Sequence, residues 1–131
     1  HPEEISAALS SIRNSYPDMK LTAVFQPHLY TRTRDFAPEF AQALSMVDRL
    51  ILLDIYPARE LPIPGVTSQI IFDEVTAPEK VLISKEELLG HIGGLELGEK
   101  EVFVTLGAGD IDRLVGPLAQ LLTEKHDKGN A

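Results

Sequence analysis

The sequence of 131 residues contains no cysteine. Disulfide bridges, a thiol nucleophile and a thiolate zinc site are therefore excluded, which fits a reducing compartment. The sequence also has no apolar run of about 18 residues, the length that a helix needs to cross a bilayer. The first residues, HPEEISAALS, lack the basic flank and apolar segment of a signal peptide. We expect neither a membrane span nor secretion, and a cytoplasmic location.

Positive charge is scarce as well. Twelve lysines and arginines stand against twenty aspartates and glutamates, which gives a formal net charge of −8 at pH 7. This charge repels a phosphate backbone, so general binding of nucleic acid is not expected. Any anionic ligand must be bound by a local group of cations.

Two motifs of catalytic sites are missing. The sequence has no G-x-x-x-x-G-K-[ST] loop, so this chain alone is not expected to hydrolyse ATP. The histidines are far apart in the sequence and form no H-E-x-x-H pattern, so no metal site is predicted.

Four short apolar runs alternate with segments of helical periodicity. The runs predict strands over residues 21–25, 50–53, 80–83 and 102–106. Helices are predicted over residues 2–15, 36–47, near 68–75, 84–93 with a capping box at Ser84 and Glu87, and 110–122. This alternation indicates an α/β, Rossmann-like domain, doubly wound, with a mainly parallel sheet and helices on both faces. We place the domain at residues 1–125 and expect a frayed tail at 126–131.

A small cationic cluster follows the first predicted strand, in the stretch FQPHLYTRTRD. Ligands of open parallel sheets bind outside the carboxyl ends of the strands, so His28, Arg32 and Arg34 are expected at the functional edge. There the arginines can hold a carboxylate or phosphate by charge-assisted hydrogen bonds. In an extended segment Arg32 and Arg34 would point to the same side. The alternative is a solvated surface network with nearby carboxylates such as Asp35.

His28 can donate a hydrogen bond to an anion or transfer a proton, because imidazole titrates near neutrality. Without a partner in the sequence, a structural role is the alternative. The proline-rich segment 56–65 contains Tyr56 and Glu60, which are candidates for substrate binding if the segment closes over the edge. The alternative is that the segment only shapes the connection. Gly107 and Gly109 are candidates for a backbone anion site at a helix start, with a tight turn as the alternative.

The segments HPEEI, FQPHLYTRTRDF, LLDIYPARELPIPGVTS and VTLGAGDI, in this order, resemble the C-terminal domain of the bacterial Mur ligases. The likeness spans nearly the whole chain, and QPH-x-YTRTRD is specific within that family. It implies an ATP-dependent ligase of peptidoglycan synthesis that joins L-alanine to UDP-N-acetylmuramate. The N-terminal domain would bind the sugar nucleotide, and the central domain would carry the ATP loop that is missing here. The start without Met fits a fragment of such an enzyme.

In the family, ATP phosphorylates the lactyl carboxylate, and the amine of L-alanine attacks the acyl phosphate. The resemblance implies that ATP and Mg²⁺ bind mainly to the central domain and that this chain alone is inactive. Closure of the C-terminal domain over the central domain would orient the reactants and exclude water.

The resemblance also assigns residues. His28 and Arg32 match positions that face the substrate, with Arg32 neutralising a carboxylate near the incoming amino acid. His1 matches the last histidine of a tyrosine-glycine-histidine-histidine-proline motif. Leu29 stands where relatives often carry arginine. If that arginine helps to hold the sugar nucleotide, the contact is absent here or is supplied by Arg34.

Two alternatives remain open. A sister ligase that recycles murein peptides shares the fold, although YTRTRD favours the enzyme that adds L-alanine. A stand-alone ligand-binding or receiver-like α/β module would use the same edge of the sheet. Asp54 ends a strand as a receiver requires, but Gln26 and Pro27 follow the first strand where a receiver has an acidic pair.

Overall fold

The order of helices and strands follows the predicted alternation. In the computed structural model, residues 1–97 and 100–107 are described. The elements are α1 (Pro2–Ser15), β1 (Lys20–Gln26), α2 (Tyr30–Leu44), β2 (Arg49–Leu53), α3 (Gln69–Phe72), β3 (Glu79–Ile83), a 3-10 turn (Lys85–Glu87), α4 (Leu88–Gly93) and β4 (Glu101–Gly107). The predicted helix over residues 110–122 and the predicted tail lie outside the described residues.

The four described strands form one parallel sheet in the order β3-β2-β1-β4. In the central register, Val24 of β1 lies opposite Ile51 of β2 and Thr105 of β4. Since all four strands run in the same direction, their carboxyl ends meet at one edge. The predicted α/β fold with a parallel sheet is confirmed.

Side chains of β1 alternate between two apolar cores. Leu21, Ala23 and Phe25 belong to the larger core, which also contains residues of α1, α2 and α3. Val24 points to the other face and packs in a smaller core that contains Leu88 of α4. Helices therefore cover both faces of the sheet, as predicted.

Helix α1 has the predicted bounds. His1 caps it, because its Nδ1 accepts the amide hydrogen of Glu3 at 3.2 Å, and Pro2 occupies the first turn. Ile5 and Leu9 are buried on the side that faces the sheet. The capping box is confirmed too: Ser84 Oγ accepts the amide of Glu87, whose carboxylate accepts the amide of Ser84.

Helix α2 begins six residues before its predicted start, at Tyr30 instead of Phe36. The basic stretch is therefore helical, and the prediction of an extended segment was wrong. The helix bends at Phe36, which has φ −123° and ψ 15°. Pro38 lies inside the helix and has no amide hydrogen to donate, which explains the bend. Thr33 and Ala37 are buried, so α2 contacts the core on both sides of the bend.

A buried arginine holds together the amino-terminal edge of the sheet, opposite the predicted site. Arg49 is 6 % exposed, and its Nε lies 2.9 Å from Glu79 Oε2. Its Nη1 lies 3.4 Å from Glu101 Oε1. No local pattern indicates this network, because the three residues begin three different strands.

Candidate functional site

A cavity of about 310 Å³ lies at the carboxyl ends of β1 and β4, beside the starts of α1 and α2. Its apolar lining residues come from both helices and both strands: Ile5, Phe25, Phe40 and Leu106. Its polar lining residues are His1, Glu4, Gln26, His28 and Arg32. Three of the residues predicted for substrate binding, His1, His28 and Arg32, therefore lie together. Glu4 and Gln26 were missed as site residues.

Arg32 lies in the first turn of α2, and its side chain is exposed. Among residues 1–97 and 100–107, no carboxylate lies within ion-pair distance of its guanidinium. A cation that lines a cavity without a carboxylate partner can bind an anionic ligand without first breaking an ion pair.

Arg34 has different surroundings. Its Nε donates to Asp35 Oδ1 at 2.9 Å, both side chains are about half exposed, and this hydrogen bond raises the pKa of Arg34. Arg34 does not line the cavity. Successive residues of an α-helix turn by about 100°, so Arg32 and Arg34 point about 200° apart. The expectation that they point the same way was wrong, and the surface-network alternative describes Arg34.

His28 is half-buried and stacks on Tyr56, with ring centroids 5.6 Å apart and ring planes 15° from parallel. The backbone supports this stack. The Tyr56 amide donates to the Pro27 carbonyl at 2.8 Å, and the Leu29 amide donates to the Tyr56 carbonyl at 2.9 Å. Tyr56 therefore does not line the cavity but supports the ring of His28, which does.

Glu60 binds the start of α2. Its Oε1 accepts the amides of Tyr30 at 2.5 Å and Thr31 at 3.2 Å, and its Oε2 accepts the Thr31 hydroxyl at 2.6 Å. These hydrogen bonds hold the pKa of the Glu60 carboxyl below its ordinary value, and the bond from the Thr31 hydroxyl has the largest effect. The structure therefore places both oxygens of Glu60 on the helix.

Leu29 connects His28 to α2 in a backbone conformation that a leucine rarely adopts, with φ 72° and ψ 138°. Such a conformation costs about 1–3 kcal/mol and persists only where surrounding contacts impose it. Here the Leu29 carbonyl accepts two hydrogen bonds from Thr33, one from its amide at 3.2 Å and one from its hydroxyl at 2.8 Å. No local sequence signal indicates this conformation.

His1 connects the two helices at the cavity. Besides capping α1, its ring packs against Phe36 at the bend of α2, with centroids 5.3 Å apart. Phe36 in turn contacts Phe40 edge to face. The position of the bend thus fixes where His1 lies along the cavity wall.

The last residue of β4 must be glycine. Gly107 has φ 130°, and a Cβ at this position would collide with the carbonyl oxygen of its strand partner Gln26. The Gln26 side chain is 4 % exposed, and its oxygen has no hydrogen-bond donor in the described part of the chain. Gly109, predicted with Gly107 as a backbone anion site, lies outside the described residues.

Within residues 1–97 and 100–107, no group of three histidine or carboxylate side chains is arranged to hold a metal ion. No helix in the same residues has both the length and the apolar character to span a bilayer.

Comparison with known proteins assigns the family. The family model of the Mur ligase glutamate ligase domain matches residues 1–109. UDP-N-acetylmuramate–L-alanine ligases from Parabacteroides distasonis and Porphyromonas gingivalis are 55% and 53% identical to this chain over 95% and 93% of its length. The chain spans 26% of each of these relatives.

A solved structure has the same fold. The crystal structure of a UDP-N-acetylmuramate-alanine ligase from Thermotoga maritima gives a TM-score of 0.71, covering 95% of this chain and 25% of that one. At 23% sequence identity this likeness concerns the fold alone. Because the family model matches most of the sequence, the chain belongs to the Mur ligase family and represents its glutamate ligase domain.

Proposed function

We propose that this chain is the C-terminal domain of an ATP-dependent ligase that joins L-alanine to UDP-N-acetylmuramate in peptidoglycan synthesis. The family match supports this activity, and so do the names of relatives that are 55% and 53% identical over the 26% of their length that this chain spans. The domain occupies residues 1–125, and the sugar-nucleotide and ATP-binding domains belong to the rest of the ligase. A cytoplasmic location follows from the use of ATP.

The part assigned to this domain is recognition of the incoming amino acid. Arg32 binds the carboxylate of L-alanine, because a guanidinium pairs with a carboxylate through two parallel hydrogen bonds. The observation that carries this role is the position of Arg32: it lines the cavity and has no carboxylate partner in the described residues.

The remaining lining residues suit a small amino acid. Ile5, Phe25 and Phe40 offer an apolar wall for the methyl group. His28, held by its stack on Tyr56, lies beside Arg32 in the same cavity and is a second donor for the carboxylate. His1 closes the wall at the start of α1.

ATP and Mg²⁺ are assigned to the central domain, since the sequence of this chain has no ATP loop. The residues of this chain bind and orient the amine donor, and they exclude water from a hydrolysable acyl phosphate when the domains close.

The test is the Arg32→Ala variant of the whole ligase. Loss of hydrogen bonds between charged groups costs about 1.5–3 kcal/mol, so we expect the KM for L-alanine to rise about 10- to 150-fold. The KM for ATP should stay unchanged. Arg34→Ala is the matched control, because Arg34 lies on the same helix and pairs with Asp35 outside the cavity. An unchanged KM for L-alanine in Arg32→Ala would refute the assignment.

A further inference from the structure

We propose that Glu60 is a positioning residue of the amino-acid site: its carboxylate fixes the first turn of α2 and thereby places Arg32 at the cavity. The inference rests on the role proposed for Arg32. It replaces the sequence-based expectation that Glu60 itself contacts substrate.

The start of α2 has no cap of its own. Its N-cap residue is Leu29, which cannot accept a hydrogen bond through its side chain, and the first turn contains no acidic residue. Glu60, thirty residues further along the chain, supplies both missing features. It accepts two amides of the first turn and places a negative charge at the positive end of the helix.

Three hydrogen bonds from one carboxylate fix both the position and the orientation of this turn. Oε1 holds the amides of Tyr30 and Thr31, while Oε2 holds the Thr31 hydroxyl from the side. Thr31 is the residue directly before Arg32. A shift of the turn would therefore move the guanidinium, and a misplacement of about 1 Å in a reacting assembly can cost up to about 100-fold in rate.

The geometry argues against direct contact of Glu60 with a ligand. Both of its oxygens already accept hydrogen bonds, and the residue does not line the cavity. Its own position is set by a turn in which the Glu60 amide donates to the Pro57 carbonyl at 2.9 Å. Ala58 within this turn has φ 52°. The carboxylate is thus held in place before any ligand arrives.

The same loop also holds His28, another polar side chain of the cavity. Residues 54–60, which we call the brace loop, contain Tyr56 as well as Glu60. Tyr56 stacks on His28 and accepts the Leu29 amide, which helps to impose the strained conformation of Leu29. The brace loop therefore positions His28, which precedes Leu29, through Tyr56. It positions Arg32, which follows Leu29, through Glu60.

The experiment measures KM values of the whole ligase for L-alanine and ATP. In Glu60→Ala we expect the KM for L-alanine to rise about 10-fold, because the first turn loses all three hydrogen bonds, with the KM for ATP unchanged. Glu60→Gln keeps an acceptor oxygen and should recover part of the affinity. Thr31→Val removes only the hydroxyl and should give a smaller rise. Glu39→Ala, which removes an exposed carboxylate from the same helix, is the control.

The Arg32→Ala background distinguishes positioning from direct contact. If Glu60 acts through Arg32, adding Glu60→Ala to Arg32→Ala raises the KM for L-alanine no further. If Glu60→Ala raises the KM for L-alanine by the same factor in the unaltered ligase and in the Arg32→Ala variant, the positioning role is wrong. A fall in kcat with unchanged KM in Glu60→Ala, Glu60→Gln and Thr31→Val would also overturn it, because this result indicates only a smaller folded fraction.

The results distinguish a failure of the inference about Glu60 from a failure of the role proposed for Arg32. If Arg32→Ala raises the KM for L-alanine and the three variants at Glu60 and Thr31 leave it unchanged, the positioning role is wrong and the role of Arg32 stands. If Arg32→Ala leaves this KM unchanged, the role of Arg32 is wrong and the inference about Glu60 falls with it.

Discussion

Arg32 and Arg34 lie two residues apart on α2 in different electrostatic surroundings. Arg34 is bonded to Asp35 at 2.9 Å on the surface, whereas Arg32 lines the cavity at the carboxyl ends of β1 and β4. The helix produces this difference, because a separation of two residues turns the side chains to nearly opposite sides. One basic pair in the sequence thus provides one surface ion pair and one candidate ligand contact.

Replacement of Arg32 by lysine should not restore affinity for L-alanine. Lysine keeps the charge but presents a compact ammonium that cannot form two parallel hydrogen bonds to a carboxylate. In Arg32→Lys we expect the KM for L-alanine to stay about 10-fold or more above that of the unaltered ligase, measured by phosphate release. A KM equal to the original value would mean that a point charge is sufficient.

Replacement of Gly107 by alanine should destabilise the domain. The new Cβ would meet the carbonyl oxygen of Gln26 in a backbone conformation that disfavours side chains. We expect Gly107→Ala to lower the free energy of unfolding by about 1–3 kcal/mol in urea denaturation. Gly90→Ala is the control: it lies in α4 with open space around it and should raise stability by about 0.5–1 kcal/mol. Equal effects at both positions would contradict this prediction.

The bonds of Glu60 to α2 should make stability depend on pH. Because the folded state lowers the pKa of Glu60, its contribution is present above the unfolded pKa, about 4.3, and is lost as pH falls through the lower folded value. The unaltered chain should therefore be more stable than Glu60→Gln at neutral pH, with a difference that shrinks in this acidic range. Urea denaturation of both chains at a series of pH values measures it. A difference that is constant with pH would refute the link, and Glu39→Gln serves as the control.

At position 29, a glycine variant should be more stable than an alanine variant, which is the reverse of the usual order. In ordinary backbone conformations glycine is the less stable of the two by about 0.5–1 kcal/mol, but at φ 72° the alanine Cβ is strained. We expect Leu29→Gly to have a higher free energy of unfolding than Leu29→Ala, by about 1 kcal/mol. Ala7→Gly, at an exposed position in α1, is the control. It should lower the free energy of unfolding by about 1 kcal/mol, because glycine is the less stable residue in an ordinary helical conformation. Finding Leu29→Ala the more stable variant would show that the backbone is not strained.

The strands were predictable because each is a short apolar run with clear turn signals on both sides. All four predicted strands exist, and each is only one or two residues longer in the structure than the apolar run that indicated it. The capping box at Ser84 was predictable for a similar reason, since the two partners are three residues apart and the signal is local.

The start of α2 was missed for the opposite reason. The stretch YTRTRD has little apolar periodicity, and the carboxylate that caps it comes from Glu60. Glu4 and Gln26 were missed as cavity residues because their places depend on how α1 and β4 pack beside β1.

The sequence by itself determined the parallel α/β sheet, the edge at which a ligand is expected and the basic residues near it, since hydrophobic periodicity and turn residues act over a few neighbours. The tertiary structure decided which arginine faces the cavity, how Leu29 is held in a strained conformation and what Glu60 binds. These features depend on hydrogen bonds between segments about thirty residues apart, and no local pattern encodes such contacts.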